Sequence, residues 1–321
     1  MNDFIFGQLG VQIIHFVQSF SSTIPDLFFI IITNFGNVPF YLVILALIYW
    51  FVSKKIGAHL AAALIIFGYF TELIKAYVGW TRPYIAEPSE VKLIGPKPIG
   101  YSFPSGHAQS TGTFWPVLIN RCTDPRRRKI LIPIAVAFLI IIPFSRVYLG
   151  VHYPGDVTFG LLFGLLGAFL YIKLNEQVIN IFKDIDINVL IAIIIILSII
   201  MTLAEIAVTQ LGRNSLSIAT PGYLPGMFLG TLVGFLLENK FVKFVQQPEQ
   251  KLFYLTRIVI GSVIVAFLFI LMYLLFIFSS NDYLVILKHY LEFSFVGLGI
   301  AFIGPYGFTQ FEEYWLRRSK T

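Results

Sequence analysis

Long apolar stretches separated by short polar connections are the main pattern of this sequence. The segment at 188–204, NVLIAIIIILSIIMTLA, carries no charged residue. When it is helical, an uncharged run of this length matches the hydrocarbon thickness of a bilayer. The pattern therefore predicts an all-α, polytopic integral membrane protein with about nine transmembrane helices, at roughly 37–53, 56–78, 105–121, 129–147, 154–173, 188–210, 222–238, 252–278 and 284–304.

The first 36 residues differ from the rest of the chain. They contain no Lys or Arg, and Pro25 divides them. A stretch of this kind fits a helix that lies in the membrane interface better than one that crosses the bilayer. We therefore expect residues 1–36 to form an interfacial amphipathic segment.

Basic residues indicate the orientation of the spans, because Lys and Arg are retained in cytoplasmic loops. Most of the 23 basic residues fall on one side if the N-terminus lies outside. The strongest marker is RCTDPRRRK at 121–129. Successive spans cross the membrane in alternating directions, which places the C-terminus inside.

Composition supports a membrane protein and narrows its chemistry. Only 12% of residues are charged and 57% are hydrophobic, whereas a soluble domain carries about 25% charged residues. The net charge is +6, and the basic residues lie in the short connections between apolar segments, where they indicate membrane orientation. We therefore expect no nucleic acid partner. The single cysteine, Cys122, excludes an internal disulfide and a cysteine-based metal cluster. The first lysine is Lys54, so we expect no secretory signal peptide.

Three polar segments lie where predicted spans end on the outer side. They are Lys75 to Arg82-Pro83, Pro104-Ser105-Gly106-His107, and Ser145-Arg146 followed by His152 and Asp156. The predicted topology puts all of them at one depth on one face. The connection at 79–104 is the longest on that face, and long structured loops are often functional.

The cations of these segments predict an anion site. Lys75, Arg82 and Arg146 lie at the membrane border without a matching number of acids nearby. Arginine suits bidentate phosphate binding, and lysine adds a point charge. Ser105 is a preferred helix N-cap, and the amides that follow it favour an anion. Gly106 lets a phosphate oxygen approach the backbone.

The two histidines of these segments predict catalysis. Asp156 follows His152 by four residues, so it lies one helical turn away and can accept the Nδ1 proton. That leaves Nε2 of His152 as a nucleophile. His107 can protonate the leaving group and later take a proton from water. Taken singly, each residue fits an interface anchor or a snorkelling side chain better; the joint pattern favours an enzyme.

These three segments resemble the signature motifs of the type 2 phosphatidic acid phosphatase superfamily, also called the lipid phosphate phosphatase and vanadium haloperoxidase superfamily. The resemblance covers roughly residues 20–175. It implies that His152 is the nucleophile, Asp156 its partner and His107 the general acid. It implies a phosphate pocket formed by Lys75, Arg82, Ser105, Gly106 and Arg146. Two histidines and a group of cations are enough for phosphoryl transfer, so we expect no metal or cofactor.

The resemblance implies an enzyme of lipid metabolism, and the positions of the spans and motifs along the sequence suggest a division of the chain. We expect an interfacial segment at 1–36, a catalytic phosphatase core at 37–175 and an additional transmembrane region at 176–321. The expected reaction is hydrolysis of a lipid phosphate, monoester or diphosphate, through a phosphohistidine. The site would face outward from a bacterial or archaeal cell membrane, or into the lumen of an organelle in a eukaryote.

Three alternatives stay open from the sequence. The same chemistry can act on a soluble phosphoester such as a sugar phosphate. A protein that only binds or transports a phosphate lipid would use the cations, but it would need no nucleophile. Vanadate-dependent halide oxidation uses a similar pocket, although a membrane-embedded site disfavours it.

The C-terminal region carries a ridge of glycines at every fourth position: Gly222, Gly226, Gly230 and Gly234. Such a ridge lets another helix approach closely. The partner helix can belong to the same chain or to a second copy, as in a homo-oligomer. Glu72, one turn before Lys75, can orient it, and Glu205 and Arg257 are interpreted as interface residues near span ends.

Overall fold

The computed structural model describes residues 7–212, 214–215, 221–276 and 281–319, and every regular element in these ranges is a helix. The α-helices are α1 Gln8–Gln18, α2 Thr23–Thr33, α3 Val38–Leu47, α4 Lys54–Val78, α5 Pro83–Ala86, α6 Gly106–Arg121, α7 Pro125–Tyr148, α8 Pro154–Phe182, α9 Ile187–Leu211, α10 Tyr223–Leu237, α11 Lys251–Leu275, α12 Asp282–Leu298 and α13 Gly304–Arg318. A 3-10 turn, Asn34–Gly36, follows α2, and π-helical segments extend α3, α10 and α12 at Ile48–Val52, Glu238–Val242 and Gly299–Ile303. The predicted all-α class is confirmed.

Six helical stretches in the described ranges are long and apolar enough to cross a membrane: Lys54–Ala86, Pro125–Tyr148, Pro154–Phe182, Ile187–Leu211, Lys251–Leu275 and Asp282–Arg318. The other three predicted spans coincide with shorter helices. These are α3 with its π-helical extension, α6 with 16 residues and α10 with 15 residues. The chain is an integral membrane protein, and the number nine stays a prediction.

The N-terminal segment forms two helices, α1 and α2. With the 3-10 turn they are apolar and long enough for one span, but they are bent by 118° at the break. Both helices pack on α7. The segment is thus integrated into the helical core of its unit, and its interfacial position stays a prediction.

Contacts divide the chain into two compact units. The first comprises Met1–Val43, Ile66–Gln177 and Ala207–Ala219, and the second comprises Ile44–Ile65, Val178–Ile206 and Thr220–Thr321. All eight residues predicted to form the site belong to the first unit. The predicted boundaries at residues 36 and 175 stay predictions.

Small residues of α8 set its distance from α6 in the first unit. A Cβ on Gly160 would overlap the backbone of Ser105, and one on Gly164 would overlap the backbone of Gln109. Close backbone contact of this kind is typical of membrane helices that pair through small residues. It brings the start of α6 to the start of α8, where the amide of Ser105 donates to the carbonyl oxygen of Asp156 over 3.0 Å.

The glycine ridge of α10 is covered by α12 in the second unit. A Cβ on Gly226 would overlap the carbonyl oxygen of Tyr290, and one on Gly230 would overlap that of Ser294. The partner helix therefore belongs to the same chain. This corrects the expectation that the ridge can serve a homo-oligomer, because its close approach is already used within the fold.

The position of Glu205 and Arg257 at the membrane interface stays a prediction, and the structure gives each of them a buried partner. Arg257 is buried and holds Glu312 in a bidentate pair, with distances of 2.6 Å from Nε to Oε1 and 2.9 Å from Nη2 to Oε2. Glu205 is buried too, and its Oε2 accepts the amide of Gly222 over 2.7 Å. A buried charge is tolerated when it is paired and hydrogen-bonded, and the sequence did not indicate these partners.

Candidate active site

His152 lies in the turn between α7 and α8, and only 2% of it is exposed. Its Nε2 is 3.0 Å from Nη1 of Arg82. An arginine side chain donates hydrogen bonds and does not accept them. Nε2 is therefore the acceptor and carries a lone pair, so the ring proton of a neutral His152 is on Nδ1. This is the tautomer that a nucleophilic Nε2 requires.

Asp156, in the first turn of α8, lies beside Nδ1 of His152. Its Oδ2 is 3.3 Å from Nδ1 and accepts the backbone amide of Tyr153 over 2.9 Å. The hydroxyl of Ser102 donates to the same oxygen and lies 3.4 Å from Nδ1. Asp156 and Ser102 are both fully buried. The arrangement is the one expected of a carboxylate that orients an imidazole.

Ser102 was not predicted as a site residue. It lies three residues before Ser105 in the connection between α5 and α6. The only sequence signal was its proximity to the second polar segment, and that signal did not distinguish it from its neighbours. The structure adds it as a buried donor to Asp156.

Arg82 is held by backbone carbonyls on three sides. Its Nε donates to Gly100, its Nη2 to Ile99 and its Nη1 to Val151, each over 2.9 Å. The side chain is 4% exposed. The connection at 79–104 thus folds around the guanidinium, which fixes a cation next to the imidazole of His152.

Arg146, in the last turn of α7, is held from the N-terminal segment. Its Nη1 donates to the hydroxyl of Thr33 over 2.7 Å, and both residues are buried. Its Nε is buried and has no hydrogen-bond partner among the described residues. Thr33 is a second residue that the sequence did not indicate, because it carries no motif and lies in the segment at 1–36, which was expected to be interfacial.

The N-terminal segment also supports His107. A Cβ added to Gly36 would lie 3.0 Å from Cδ2 of this imidazole. His107 is the second residue of α6, and its carbonyl oxygen accepts the hydroxyl of Thr111 over 2.7 Å. Ser105 is the N-cap of the same helix, as predicted, and its hydroxyl oxygen accepts the amide of Ala108.

Lys75 lies in the last turn of α4, close to the start of α6. A Cβ added to Gly106 would be 3.7 Å from its Nζ. The ammonium pairs with Oε1 of Glu72 over 2.8 Å, and both side chains are mostly buried. The expected orientation of Lys75 by Glu72 matches this geometry, and the lack of a side chain on Gly106 keeps the space in front of the ammonium open.

The surroundings of His152 favour its neutral form. Burial lowers the pKa of its imidazole well below the ordinary value of 6.5, and the positive charges of Arg82, Arg146 and Lys75 lower that pKa further. A neutral imidazole is the nucleophilic form.

The structure brings the predicted residues into one region of the first unit. Direct contacts join Arg82 to His152 and His152 to Asp156, and the start of α6 lies against both Asp156 and Lys75. Within the described part of the chain, no group of three or more His, Cys, Asp or Glu could hold a metal ion. The catalytic and phosphate-binding roles stay predictions.

Known proteins similar to this chain are membrane phosphatases. Residues 56–180 match the model of the PAP2 superfamily, and residues 223–314 match that of the PAP2 superfamily phosphatase, transmembrane extension. An undecaprenyl-diphosphatase of Sulfolobus acidocaldarius is 31% identical over 149 residues, which cover 46% of this chain and 69% of the relative. This chain belongs to the PAP2 superfamily. The resemblance inferred from the three segments is confirmed, and the chain is a phosphoric ester or diphosphate hydrolase of the lipid phosphate phosphatase type.

Other PAP2 relatives match a smaller share of their own length. Sphingosine-1-phosphate phosphatase 1 of Rattus norvegicus is 30% identical over 46% of this chain and 34% of the relative. The chain thus spans about a third of that protein. The crystal structure of a transmembrane PAP2 type phosphatidylglycerolphosphate phosphatase from Bacillus subtilis has a TM-score of 0.45 at 22% identity, over 53% of this chain and 85% of that one.

Proposed function

We propose that this PAP2 protein hydrolyses a lipid phosphate, monoester or diphosphate, through a phosphohistidine formed on His152. The observation that carries the proposal is the hydrogen bond from Arg82 to Nε2 of His152, with Asp156 beside Nδ1. Because arginine only donates, this hydrogen bond supports a lone pair on Nε2, the nitrogen that faces Arg82. A protein that only binds a phosphate group has no need of an imidazole oriented in this way.

In the first step, the lone pair of Nε2 attacks the phosphorus and the bond to the leaving oxygen breaks. Nη1 of Arg82 moves its hydrogen bond from Nε2 to an oxygen of the phosphoryl group. The negative charge on the phosphoryl oxygens is balanced by Arg82, Arg146 and Lys75. His107 gives a proton to the leaving oxygen, and Asp156 stabilises the charge that develops on His152.

In the second step, a water molecule attacks the phosphorus of the phosphohistidine. His107, now without its proton, takes one from this water, and the bond between Nε2 and phosphorus breaks. Inorganic phosphate leaves and His152 is again neutral. Each group returns to its starting state, so the cycle needs no further reactant.

The proposed substrate is a lipid because the site belongs to a chain that lies in the membrane. Relatives are named undecaprenyl-diphosphatase, sphingosine-1-phosphate phosphatase 1 and lipid A 1-phosphatase, all of which are lipid phosphatases by name. A prenyl diphosphate is the first substrate to test, because the undecaprenyl-diphosphatase is matched over 69% of its length. Phosphatidate, phosphatidylglycerol phosphate and sphingoid phosphates complete the set.

The proposal includes the topology and the division inferred from the sequence. Nine spans, an outside N-terminus and an inside C-terminus place the site at the outer border of the membrane. Residues 1–36 then form the N-terminal segment, 37–175 the catalytic core and 176–321 the additional transmembrane region. The basic segment at 121–129 supports this orientation.

The test is phosphate release by the purified protein and by its His152→Asn variant. The parent protein should release phosphate from at least one lipid in vesicles, whereas His152→Asn should not, although its thermal unfolding stays that of a folded protein. A substrate labelled with radioactive phosphate should leave an acid-labile, base-stable label on the parent protein only. His15→Asn, on the exposed side of α1, is the matched control and should keep activity.

The same assay separates the alternatives. Release from a sugar phosphate, but from no vesicle-embedded lipid, would replace the lipid by a soluble phosphoester. Lipid binding without release of phosphate from any substrate would favour a binding or transport protein. Full activity of His152→Asn would remove the phosphohistidine mechanism.

A further inference from the structure

Asn214 follows the end of α9 and hydrogen-bonds to the end of α4. Its Nδ2 donates to the carbonyl oxygen of Ala76 over 2.7 Å and to that of Tyr77 over 3.1 Å. The last carbonyls of a helix have no partner within the helix and need one elsewhere. Asn214 supplies that partner for two of them. It therefore caps α4 from a part of the chain that is far away in sequence.

The capped turn is the one that carries Lys75. α4 ends at Val78, and the amide of Gly79 closes the turn by donating to the carbonyl oxygen of Lys75 over 3.0 Å. Gly79 has a φ of +63°, a left-handed conformation that glycine adopts without strain. The direction of the Lys75 side chain thus depends on a helix end, the part of a helix most prone to fray.

The approach of the two segments is close. A Cβ added to Gly212 would overlap the carbonyl oxygen of Tyr77, and one added to Gly79 would overlap the side chain of Asn214. Two glycines therefore make room for one amide group. Contact of this kind holds the amide in a single position relative to the two carbonyls that it serves.

A second hydrogen bond joins the residues after α9 to the connection between α5 and α6. The amide of Ser215 donates to the hydroxyl of Tyr101 over 3.0 Å. Tyr101 directly precedes Ser102, the buried donor to Asp156. The residues after α9 thus contact the site region at two places, the helix end that presents Lys75 and the loop that presents Ser102.

We propose that Asn214 is a positioning residue of the phosphatase site and that it acts through Lys75. The inference rests on the proposed function, since Lys75 is a ligand of the substrate phosphate there. The matched ranges, 56–180 and 223–314, do not include position 214. The residue therefore couples the region after the core to the phosphate pocket without contacting the substrate.

The test replaces Asn214 by leucine, which has a similar size but no donor. Loss of two hydrogen bonds to a helix end should raise KM for the lipid phosphate, and the inhibition constant of inorganic phosphate, by about tenfold, with kcat changed less than about threefold. The same replacement in a Lys75→Met background should change KM less than about twofold, because the residue through which Asn214 acts is gone. Asn188 is exposed near the start of α9, the helix that precedes Asn214. Asn188→Leu is therefore the matched control and should leave KM unchanged.

Hydrogen exchange gives a readout that does not depend on activity. Asn214→Leu should increase deuterium uptake of the amides at 76–79 and leave the middle of α4 protected. An equal effect on KM with and without Lys75 would overturn the proposal, as would unchanged exchange at 76–79. If Asn214→Leu does not fold, Asn214→Ser, which keeps one donor, should raise KM and the deuterium uptake at 76–79 by smaller amounts. Unchanged KM and unchanged uptake in Asn214→Ser would overturn the proposal. If the parent protein releases no phosphate, the proposed function fails, and the exchange experiment still decides whether Asn214 holds this helix end.

Discussion

Nη1 of Arg82 donates a hydrogen bond to Nε2 of His152, and the two atoms are 3.0 Å apart. The cation that is expected to bind phosphate therefore also selects the tautomer of the expected nucleophile. The carbonyl oxygens of Gly100, Ile99 and Val151 hold the guanidinium in place. Arg82 thus joins the loop between α5 and α6 to the imidazole, and this double role leads to the first prediction.

Replacing Arg82 by lysine should lower kcat/KM by about a hundredfold or more, because an ammonium cannot reproduce the planar fork of donors. One positive charge remains, so the loss would come from geometry. The measurement is phosphate release from lipid vesicles. Arg126→Lys, at the exposed start of α7, is the control and should keep activity. Activity of Arg82→Lys close to that of the parent protein would show that the fork has no role.

Replacing Ser102 by alanine should lower kcat by about tenfold, since Asp156 would lose a donor and hold Nδ1 of His152 less firmly. KM should change little, because Ser102 is directed at the carboxylate of Asp156. Steady-state kinetics on the lipid substrate separate the two parameters. Ser19→Ala, which removes a hydroxyl at the exposed end of α1, is the control. A change confined to KM would place Ser102 in the phosphate pocket instead.

Replacing Thr33 by valine keeps the shape of the side chain and removes the acceptor for Arg146. A buried donor left without a partner costs about 1–3 kcal/mol, so thermal stability and phosphate affinity should both fall. The control is Thr23→Val, at the exposed start of the same helix. If both variants behave alike in unfolding and in phosphate release, α2 does not take part in the site.

The lowered pKa of His152 predicts a dependence of stability on pH. In the unfolded chain this imidazole binds a proton as the pH falls through 6.5, whereas burial and Arg82 keep it neutral in the folded protein. Below that pH the unfolded state binds more protons, so the folded state loses stability. Between about pH 7.5 and about pH 5.5, the Tm of the parent protein should therefore fall relative to the Tm of His152→Asn. Parallel Tm curves would show that the pKa of His152 is not lowered.

The helices, the approach of Asp156 to His152 and the N-cap at Ser105 could be predicted because their signals are local. Apolar runs mark the long helices, and the spacing of four between His152 and Asp156 holds in any helix start. Ser105 as an N-cap follows from the preference of serine for that position. Such features depend on neighbours in sequence, and the structure agrees with them.

Thr33, Ser102 and Asn214 could not be predicted because their partners are distant in sequence. Thr33 bonds to Arg146, and Asn214 bonds to the end of α4. A polar residue near the end of an apolar stretch has the same local pattern whether it faces lipid headgroups or a buried arginine. The same reason explains why the partner of Arg257 was not predicted, since Glu312 lies 55 residues away.

The last prediction concerns the side of the membrane on which the site opens. Cys122, at the C-cap of α6, is the only cysteine in the chain and lies in the basic segment expected inside. Lys97 is exposed in the connection at 79–104, which is expected outside. In intact cells or sealed right-side-out vesicles, a membrane-impermeant maleimide should label Lys97→Cys in a Cys122→Ser background and should not label the parent protein.

A permeant maleimide provides the control, because it should also reach Cys122, which is partly exposed. Labelling of the parent by the impermeant reagent, together with protection of Lys97→Cys, would invert the topology. The site would then act on lipids of the inner leaflet, although the contacts among Arg82, His152 and Asp156 would be unchanged. Orientation rests on the distribution of basic residues and catalysis on local geometry, so each can fail without the other.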